Sequence, residues 1–347
     1  MPPLFIGSTG DHPGLTLITW AIARRLLEKK YRPGFFKPFG TGLLLVDNIR
    51  TDPDAILFKE ILNLGEPLEM ICPYRVSGDG KIQYDPDQVL EKIRYLASVL
   101  SKEKDILLIA GSKEIFFDRA AHSTRDISII SEFNTDLILI HRFEKISTSL
   151  YSILSVHSLL KDHLKGLVIN RVPPGQIDDV KEKIVPLLTQ RGIYYIAVLA
   201  EEPFLTQRSL EDIREILEGK VLCGDEYLDR PVGAMTVGAS CLNGALKIFK
   251  RVYNKIILLE SSTGTPKIAG ILLTGNRDLP DRVMEAAEES KVPLISVKKD
   301  RFASREILEQ NMSRLSSEDE DKVIHMTEMM DHDNFLNRLI GSLGIVS

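Results

Sequence analysis

The chain has 347 residues, which is long enough for two compact domains that each bury a hydrophobic core. Charged residues make up 27% of it and leave a net charge of −5 with both signs interspersed, so nothing indicates nucleic acid as a partner. Three widely spaced cysteines form no Cys-x-x-Cys pair, and no apolar run reaches the roughly 20 residues that cross a bilayer, so we expect a cytoplasmic protein without a zinc site, disulfides or a membrane segment.

The chain opens with a predicted strand, a glycine-bearing turn and a predicted helix. Residues 4–6 are a short apolar run, and residues 15–30 carry apolar side chains at helical spacing. Residues 7–16, the glycine loop, read Gly-Ser-Thr-Gly-Asp-His-Pro-Gly-Leu-Thr. Loops of this kind hold phosphates with backbone N–H groups, a helix end and a lysine, and a Ser or Thr hydroxyl holds Mg²⁺. Leu15 stands where the lysine is expected, between a glycine and a threonine that fit the pattern.

Short apolar runs alternate with helical patterns through residue 205, which is typical of a parallel sheet covered by helices on both faces. We therefore predict a doubly wound α/β domain over residues 1–205. Its other strands are predicted at residues 34–38, 105–111, 136–140, 166–170 and 194–198, and its other helices near 54–63, 88–101, 148–162 and 177–191.

A smaller α/β domain is predicted over residues 206–312, followed by an acidic turn and a C-terminal helix over residues 313–347. The acidic run that begins at Ser316 is expected to be a solvated connection, and the helix is expected at residues 323–343. Within the smaller domain the predicted elements are helices at 210–218, 242–251 and 282–290 and strands at 221–223, 232–237, 256–260, 268–273 and 293–297.

Together these motifs resemble the non-catalytic N-terminal half of long bacterial phosphotransacetylases, which joins a dethiobiotin-synthetase-like P-loop domain to a DRTGG module. The resemblance reaches to about residue 312 and does not include an acetyltransferase domain, so it implies no acetyl transfer. The residues that carry it are Ser8-Thr9, Gly14-Leu15-Thr16, Gly34-Phe35-Phe36-Lys37-Pro38, Asp52-Pro53-Asp54-Ala55, Val168-Ile169-Asn170-Arg171-Val172-Pro173 and Gly233-Ala234-Met235-Thr236-Val237.

The resemblance implies ATP or ADP with Mg²⁺ as the ligand, bound weakly or not at all. It places Thr16 and Asp54 at two metal positions, Lys37 on the substrate and Asn170 on the adenine edge. Lys37 is equally well explained as a surface lysine, and Asn170 as a turn former. The candidate nucleotide-binding residues are Thr9, Gly10, His12, Gly14, Thr16, Lys37 and Asn170. His12 is included for its place in the loop, where it could donate to an anion, and its alternative interpretation is an exposed residue at the loop tip.

Two charges that such enzymes need are missing from the sequence. Leu15 replaces the loop lysine, and the strand that ends in Glu-Gly in the family ends here in Ala110-Gly111. Each charge in a phosphoryl-transfer site contributes on the order of a few kcal/mol to the transition state, so losing both predicts little catalysis. Glu114 follows three residues after Gly111 and is a candidate replacement.

The second module also departs from its family. The DRTGG motif itself is absent, and residues 260–264 read Glu-Ser-Ser-Thr-Gly where the family has a Gly-Asp-Arg loop. Thr274-Gly275 follows a predicted strand, and we interpret it as a helix cap in preference to an anion site.

Three functions remain open. The favoured one is a non-catalytic regulatory or scaffold protein, a homo-oligomer that binds an adenine nucleotide or phosphorylated metabolite without efficient hydrolysis. Its expected protein partner belongs to acetyl-phosphate or acetyl-CoA metabolism. The alternatives are an ATP-dependent ligase that uses Lys37 or Glu114 as replacements, and a purely structural oligomerisation protein.

Overall fold

The computed structural model of the chain divides into two compact units. The first unit is Met1–Glu201 together with Leu315–Ser347, and the second is Glu202–Arg314. The structure describes residues 3–10, 12–40, 44–46, 49–75, 85–112, 115, 126–237, 256–261, 268–275, 281–311, 314–332 and 334–344.

The first unit is built on a six-stranded sheet in the order β10-β9-β8-β1-β7-β2, and every pairing in it is parallel. This confirms the predicted doubly wound parallel domain. Its strands are β1 Leu4–Thr9, β2 Pro33–Phe36, β3 Phe39–Gly40, β4 Leu44–Val46, β5 Ile49–Thr51, β6 Tyr74–Arg75, β7 Ile106–Ala110, β8 Asp136–Arg142, β9 Leu164–Val172 and β10 Ile196–Ala200, of which β3 pairs with β6 and β4 with β5.

Helices cover the sheet, and the core lies between them and the strands. All six residues of β1 are buried, as expected for a central parallel strand that is covered on both faces. The α-helices described within residues 1–201 are α1 Leu15–Glu28, α2 Pro53–Ile61, α3 Leu68–Ile71, α4 Pro86–Leu100, α5 Asp126–Phe133, α6 Ile146–Leu160, α7 Ile177–Lys183 and α8 Val185–Gln190.

The single helix predicted at residues 177–191 is two helices, α7 and α8. Pro186 lies in the first turn of α8. Proline has no backbone N–H to donate and its ring clashes with the preceding turn, so the helical path is interrupted there. The apolar spacing continues on both sides of this break, and the sequence periodicity therefore predicted a single helix.

The second unit holds a six-stranded mixed sheet in the order β11-β13-β14-β15-β16-β12, in which only β15 and β16 pair in parallel. Its helices pack on an apolar core that includes Leu210, Ile213, Leu272 and Ile295. The helix predicted at 242–251 lies outside the described residues. The elements are β11 Arg208–Ser209, α9 Leu210–Ile216, β12 Lys220–Cys223, β13 Pro231–Val237, β14 Ile256–Ser261, β15 Ile268–Thr274, α10 Asp281–Glu289, β16 Leu294–Val297 and α11 Arg301–Asn311.

After the second unit the chain returns to the first as two helices, α12 Glu320–Asp331 and α13 Phe335–Ser342. The single helix predicted at 323–343 was therefore wrong. Asn334 takes a left-handed conformation with φ 55°, which ends one helix and starts the next. Helix α12 packs against α1, and Gly166 lets α13 lie close to β9, since a Cβ there would stand 2.9 Å from Leu339 Cδ1.

The acidic turn before α12 is more than a solvated connection. Asp319 is buried, and its carboxylate accepts hydrogen bonds from the Ser316 backbone N–H at 2.9 Å and from Lys322 Nζ at 2.7 Å. A carboxylate with these partners organises the turn, so only part of the run faces water. In the described part of the chain, none of the helices has the length and apolar character that crossing a bilayer requires.

Candidate functional site

The glycine loop leads from β1 into α1, and three of its described residues have positive φ. Gly10 has φ 86°, His12 has φ 48° and Gly14 has φ 89°. Gly14 is the N-cap of α1, and among the described residues no side chain caps this helix. The first backbone N–H groups of α1 therefore lie at the positive end of a 14-residue helix, which is the arrangement that binds anions. The side chain of Leu15, at the first position of α1, is half-buried.

Asn170 braces this loop from the neighbouring strand β9. Its Nδ2 donates a 2.8 Å hydrogen bond to the carbonyl of Pro13, and its Oδ1 accepts one of 2.9 Å from the backbone N–H of Arg171. A Cβ at Gly14 would lie 2.7 Å from the same Nδ2, so only glycine fits without a shift. The amide predicted to contact adenine thus holds the loop in the structure, and the adenine role stays a prediction.

Thr9, the last residue of β1, contacts a buried histidine. Its Oγ1 lies 2.8 Å from Nδ1 of His141, the residue opposite it on β8. Burial lowers the pKa of His141 to about 4, so the ring is neutral near pH 7. Among the described atoms, Nε2 of this ring is buried with no hydrogen-bond partner. His12, at the loop tip, is exposed.

On the other side of α1, three predicted site residues form one network. Thr16 Oγ1 donates a 2.9 Å hydrogen bond to Oδ1 of Asp54, and Lys37 Nζ lies 2.5 Å from Oδ2 of the same carboxylate. Lys37 follows directly after β2 and is only 4% exposed. The interpretation of Lys37 as a surface lysine was therefore wrong, because its ammonium group is paired in the interior.

A second carboxylate completes the surroundings of Lys37. Asp52 Oδ1 lies 3.6 Å from Nζ and also caps α2 by accepting the N–H of Asp54 at 3.0 Å. Burial works to lower the pKa of Lys37, but the nearby Asp54 and Asp52 carboxylates outweigh it, and the pKa is held above its usual value. The lysine is therefore charged at any ordinary pH.

Thr16 and Asp54 bring together oxygens of the kind that Mg²⁺ takes beside a phosphate, and both Asp54 oxygens accept hydrogen bonds within the protein. Mg²⁺ is commonly held by one or two protein oxygens together with the phosphates of a substrate, and these two side chains are adjacent. Bound there, Mg²⁺ would neutralise phosphate charge. Among the described residues, no group of three or more His, Cys, Asp or Glu side chains is arranged to hold a metal.

The end of β7 holds an acid that sequence reasoning missed. Ala110 is buried there, and the carboxylate of Asp126 accepts hydrogen bonds from the Ser112 backbone N–H at 2.8 Å and from Ser112 Oγ at 3.0 Å. A Cβ at Gly111 would stand 2.7 Å from Asp126 Oδ2. Asp126 opens α5 before an apolar Ile-Ser-Ile-Ile run, and that pattern is the signal that could have marked it.

Asp126 is 4% exposed, and burial raises its pKa to about 6 although Ser112 and Lys37 oppose the change. Its carboxylate is therefore electrostatically coupled to the Lys37 network. Glu114, the predicted replacement for the missing acid, lies outside the described residues.

Arg142 is the last residue of β8 and lies next to the glycine loop, and Arg171 lies near the end of β9. Arg142 pairs with Asn170 in the sheet, and a Cβ at Gly10 would lie 3.2 Å from Arg142 Cβ. Arg171 has a left-handed backbone with φ 57°. Burial and the neighbouring Arg142 lower the pKa of Arg171, while Glu201 raises it.

In the second unit, Thr274 is buried at the end of β15 and Gly275 follows with φ 88°. The backbone N–H of Gly275 donates to the carbonyls of Val297 and Lys299. This N–H group therefore already donates its hydrogen bonds within the fold. Residues 276–280, which would complete the predicted cap, lie outside the described residues, as do residues 262–264.

Comparison with known proteins yields two family models. One, described as an AAA domain, matches residues 3–209, and the other, a DRTGG domain, matches residues 212–311. The predicted combination of a P-loop domain with a DRTGG module is confirmed.

The curated relatives agree with the family models. The ATP-dependent dethiobiotin synthetase of Thermodesulfovibrio yellowstonii is 26% identical over 61% of this chain and 92% of its own length. Phosphate acetyltransferases of Pseudomonas aeruginosa and Pseudomonas putida are 22% and 21% identical over 95% of this chain, and the chain spans about half of their length. The septum site-determining protein MinD of Pyrococcus horikoshii, complexed with Mg-ADP, matches 59% of the chain at 21% identity and a TM-score of 0.36.

Proposed function

The chain belongs to the AAA domain family through residues 3–209, and on that premise we propose that its first unit binds an adenine nucleotide or another phosphorylated metabolite without efficient phosphoryl transfer. One observation carries the proposal. Helix α1 presents an uncapped N-terminus behind Gly14 among the described residues, whereas Leu15 leaves the loop without a lysine. Backbone donors and a helix dipole provide affinity for a phosphate group, and the missing cation would have accelerated phosphoryl transfer.

The other side of α1 supports the same proposal. Both carboxylate oxygens of Asp54 already accept protein donors, and β7 ends in Ala110, so the carboxylate at that end of the strand is that of Asp126, which Ser112 already engages. Lys37 is held by Asp54 and Asp52, so moving it onto a substrate would separate a buried ion pair. A ligand can therefore bind without these groups being arranged for chemistry.

We propose a regulatory or scaffold role, which the absence of efficient phosphoryl transfer in this proposal and the presence of a DRTGG domain support. A domain that binds a metabolite without consuming it can report the concentration of that metabolite through a change in assembly. We propose a homo-oligomer, with a protein partner in acetyl-phosphate or acetyl-CoA metabolism. The resemblance to phosphate acetyltransferases motivates the choice of partner.

Calorimetry on the full chain tests ligand binding. ATP, ADP, AMP and acetyl phosphate are titrated with and without Mg²⁺, and Leu15→Lys is compared with Leu27→Lys, a matched control on the exposed end of the same helix. We expect one or more of these ligands to bind, and Leu15→Lys alone to tighten binding. Absence of a binding signal with every ligand would refute the proposal.

A ligase remains the second candidate, because Asp126 places a carboxylate at the end of β7 where Ala110 does not. In that case Asp126 and Lys37 would act on the substrate, and Thr16 and Asp54 would hold Mg²⁺. ATP turnover that is abolished by Thr16→Ala and by Asp126→Asn would establish this function. Turnover that is equal in these variants and in the unmodified protein, or that is absent, would exclude it.

A further inference from the structure

A cleft lies at the amino edge of the parallel sheet, opposite the edge that carries the glycine loop. It forms where α6 ends and leads into β9, and where α8 ends and leads into β10. Its volume is about 330 Å³, which is within the range of small-molecule sites. The side chains that give the cleft its chemistry are those of His157, Lys161, Asp162, Lys165, Arg191 and Tyr194.

The ends of two helices bring cationic side chains to this cleft. Lys161 is the C-cap residue of α6, and Arg191 is the C-cap residue of α8. Gly192 follows with φ 92°, and the backbone N–H of Ile193 donates to the carbonyl of Leu188 at 3.1 Å. Glycine adopts this φ without strain, so the chain turns sharply after Arg191 towards β10. Each helix end therefore contributes one cation to the lining of the same cleft.

The two cations at the helix ends are not paired within the fold. In the part of the chain that the structure describes, neither Lys161 nor Arg191 forms an ion pair with a carboxylate, and both are exposed. Lys165 differs from them, because its Nζ lies 3.8 Å from Oδ1 of Asp136. Asp162 is the carboxylate among the charged side chains of the lining. Two unpaired cations against one carboxylate leave the cleft with an excess of positive charge.

His157 lies close enough to both cations to feel their charge. It is in the last turn of α6, lines the cleft and is half-buried. Burial lowers the pKa of His157, and Lys161 and Arg191 lower it further. The charges of both helix ends therefore act on one imidazole. The ring is neutral near pH 7 and offers one N–H donor to a ligand in the cleft.

We propose that this cleft binds a small anion that carries two or more negative charges on oxygen, held by Lys161, Arg191 and the N–H of His157. The site goes beyond the proposed function, since it lies at the opposite edge of the sheet from the glycine loop. Phosphate groups and polycarboxylates share this chemistry, and the planar donors of a guanidinium match two oxygens of either group. The phenol of Tyr194 supplies a further donor at the rim.

Calorimetry of the full chain with pyrophosphate and with citrate, at low salt and in EDTA, tests this site. Lys161→Gln, Arg191→Gln and the double variant are compared with Lys145→Gln, an exposed lysine at the opposite end of α6. We expect each single variant to bind about threefold to tenfold more weakly and the double variant more than about tenfold more weakly. Lys145→Gln should bind within about twofold of the unmodified chain, and added salt should weaken binding because exposed charges are screened.

Proton NMR of the His157 imidazole locates the bound anion. Its signal is identified as the one that His157→Gln lacks, and we expect the anion to move it in the unmodified chain and in Lys145→Gln. Fluorescence of Trp20, the single tryptophan and a buried residue of α1, shows that each variant is folded.

Binding of pyrophosphate alone, or of citrate alone, would support the cleft and assign its ligand to the phosphates or to the polycarboxylates. Binding that leaves the His157 signal unmoved, or that is equally tight in the double variant, would place the anion elsewhere. The cleft site would then be wrong, and the proposed function would stand. Absence of binding by both anions would also overturn the site and would restrict Lys161 and Arg191 to stabilising the ends of their helices.

Discussion

The two sides of helix α1 differ in the groups that are buried there. On the side of β2, the ammonium group of Lys37 lies among the carboxylates of Asp52 and Asp54, and the network is buried and paired. On the side of β8, Thr9 contacts the buried ring of His141, which is neutral near pH 7. One side therefore buries a charged and paired network and the other buries a neutral ring, so substitution and pH should affect the two sides differently.

The largest expected effect comes from breaking the paired side. Lys37→Met leaves two carboxylates without their buried partner, and removing one member of a buried pair typically costs about 3–5 kcal/mol. The matched control is Lys183→Met, because Lys183 pairs with Asp179 on an exposed surface, where the loss is about 0–1 kcal/mol. Urea unfolding followed by Trp20 fluorescence measures both. Equal losses in the two variants would mean that the Lys37 network does not stabilise the fold.

The next effect is a pH dependence of the free energy of unfolding, and it involves one titratable group on each side of α1. Burial raises the pKa of Asp126 to about 6, so the folded protein holds this proton more tightly, and the stability it contributes is lost as pH rises through about 6. Burial lowers the pKa of His141 to about 4, so its contribution is present above the ordinary histidine pKa and is lost as pH falls through about 4. Between about pH 4 and 6 the two effects oppose each other.

Replacing either group should leave the pH dependence that the other group contributes. Asp126→Asn should make the free energy of unfolding rise more steeply from about pH 4 to pH 6, and His141→Gln should make it fall over the same range. The pKa of each group is shifted by about two units, which corresponds to a change of about 3 kcal/mol in the free energy of unfolding across the window. Unfolding free energies of both variants at three pH values in this window provide the check. Parallel pH profiles in the two variants would contradict the assignment.

A smaller effect is expected at the loop itself. Gly14→Ala forces a left-handed backbone on a residue with a Cβ, and the Cβ would meet Asn170 Nδ2 at 2.7 Å, so we expect a loss of about 1–3 kcal/mol. Asn170→Ala removes the obstructing amide, so Gly14→Ala should cost less in that background. A double-mutant cycle measures the coupling. Strictly additive losses would show that the two residues do not constrain each other.

The smallest effect is expected from restoring the missing cation. Leu15→Lys adds one charge at the mouth of the loop and should tighten phosphate binding by about tenfold or less, while ATP turnover stays absent because the acid missing at Ala110 is not restored. Calorimetry and a phosphate-release assay on the same preparation test both parts. Turnover that appears with this single substitution would place the whole catalytic defect at residue 15.

Much of the architecture was predictable, because alternating apolar runs specify a parallel sheet and the glycine loop marks its first turn. The places where prediction failed share a physical cause. Pro186 and Asn334 break helices without interrupting the apolar spacing, so periodicity alone passes over them. Asp126 and His141 lie at the site only because the topology brings the ends of β7 and β8 beside β1, a proximity that no local pattern reveals.

One measurement tests the central claim most directly. ADP and ATP are titrated into the full chain by calorimetry, and phosphate release from ATP is followed in the same samples with Mg²⁺, using Thr16→Ala as the comparison. The account predicts saturable binding of nucleotide with no phosphate release above that of buffer. Absence of binding, or phosphate release that Thr16→Ala abolishes, would contradict it.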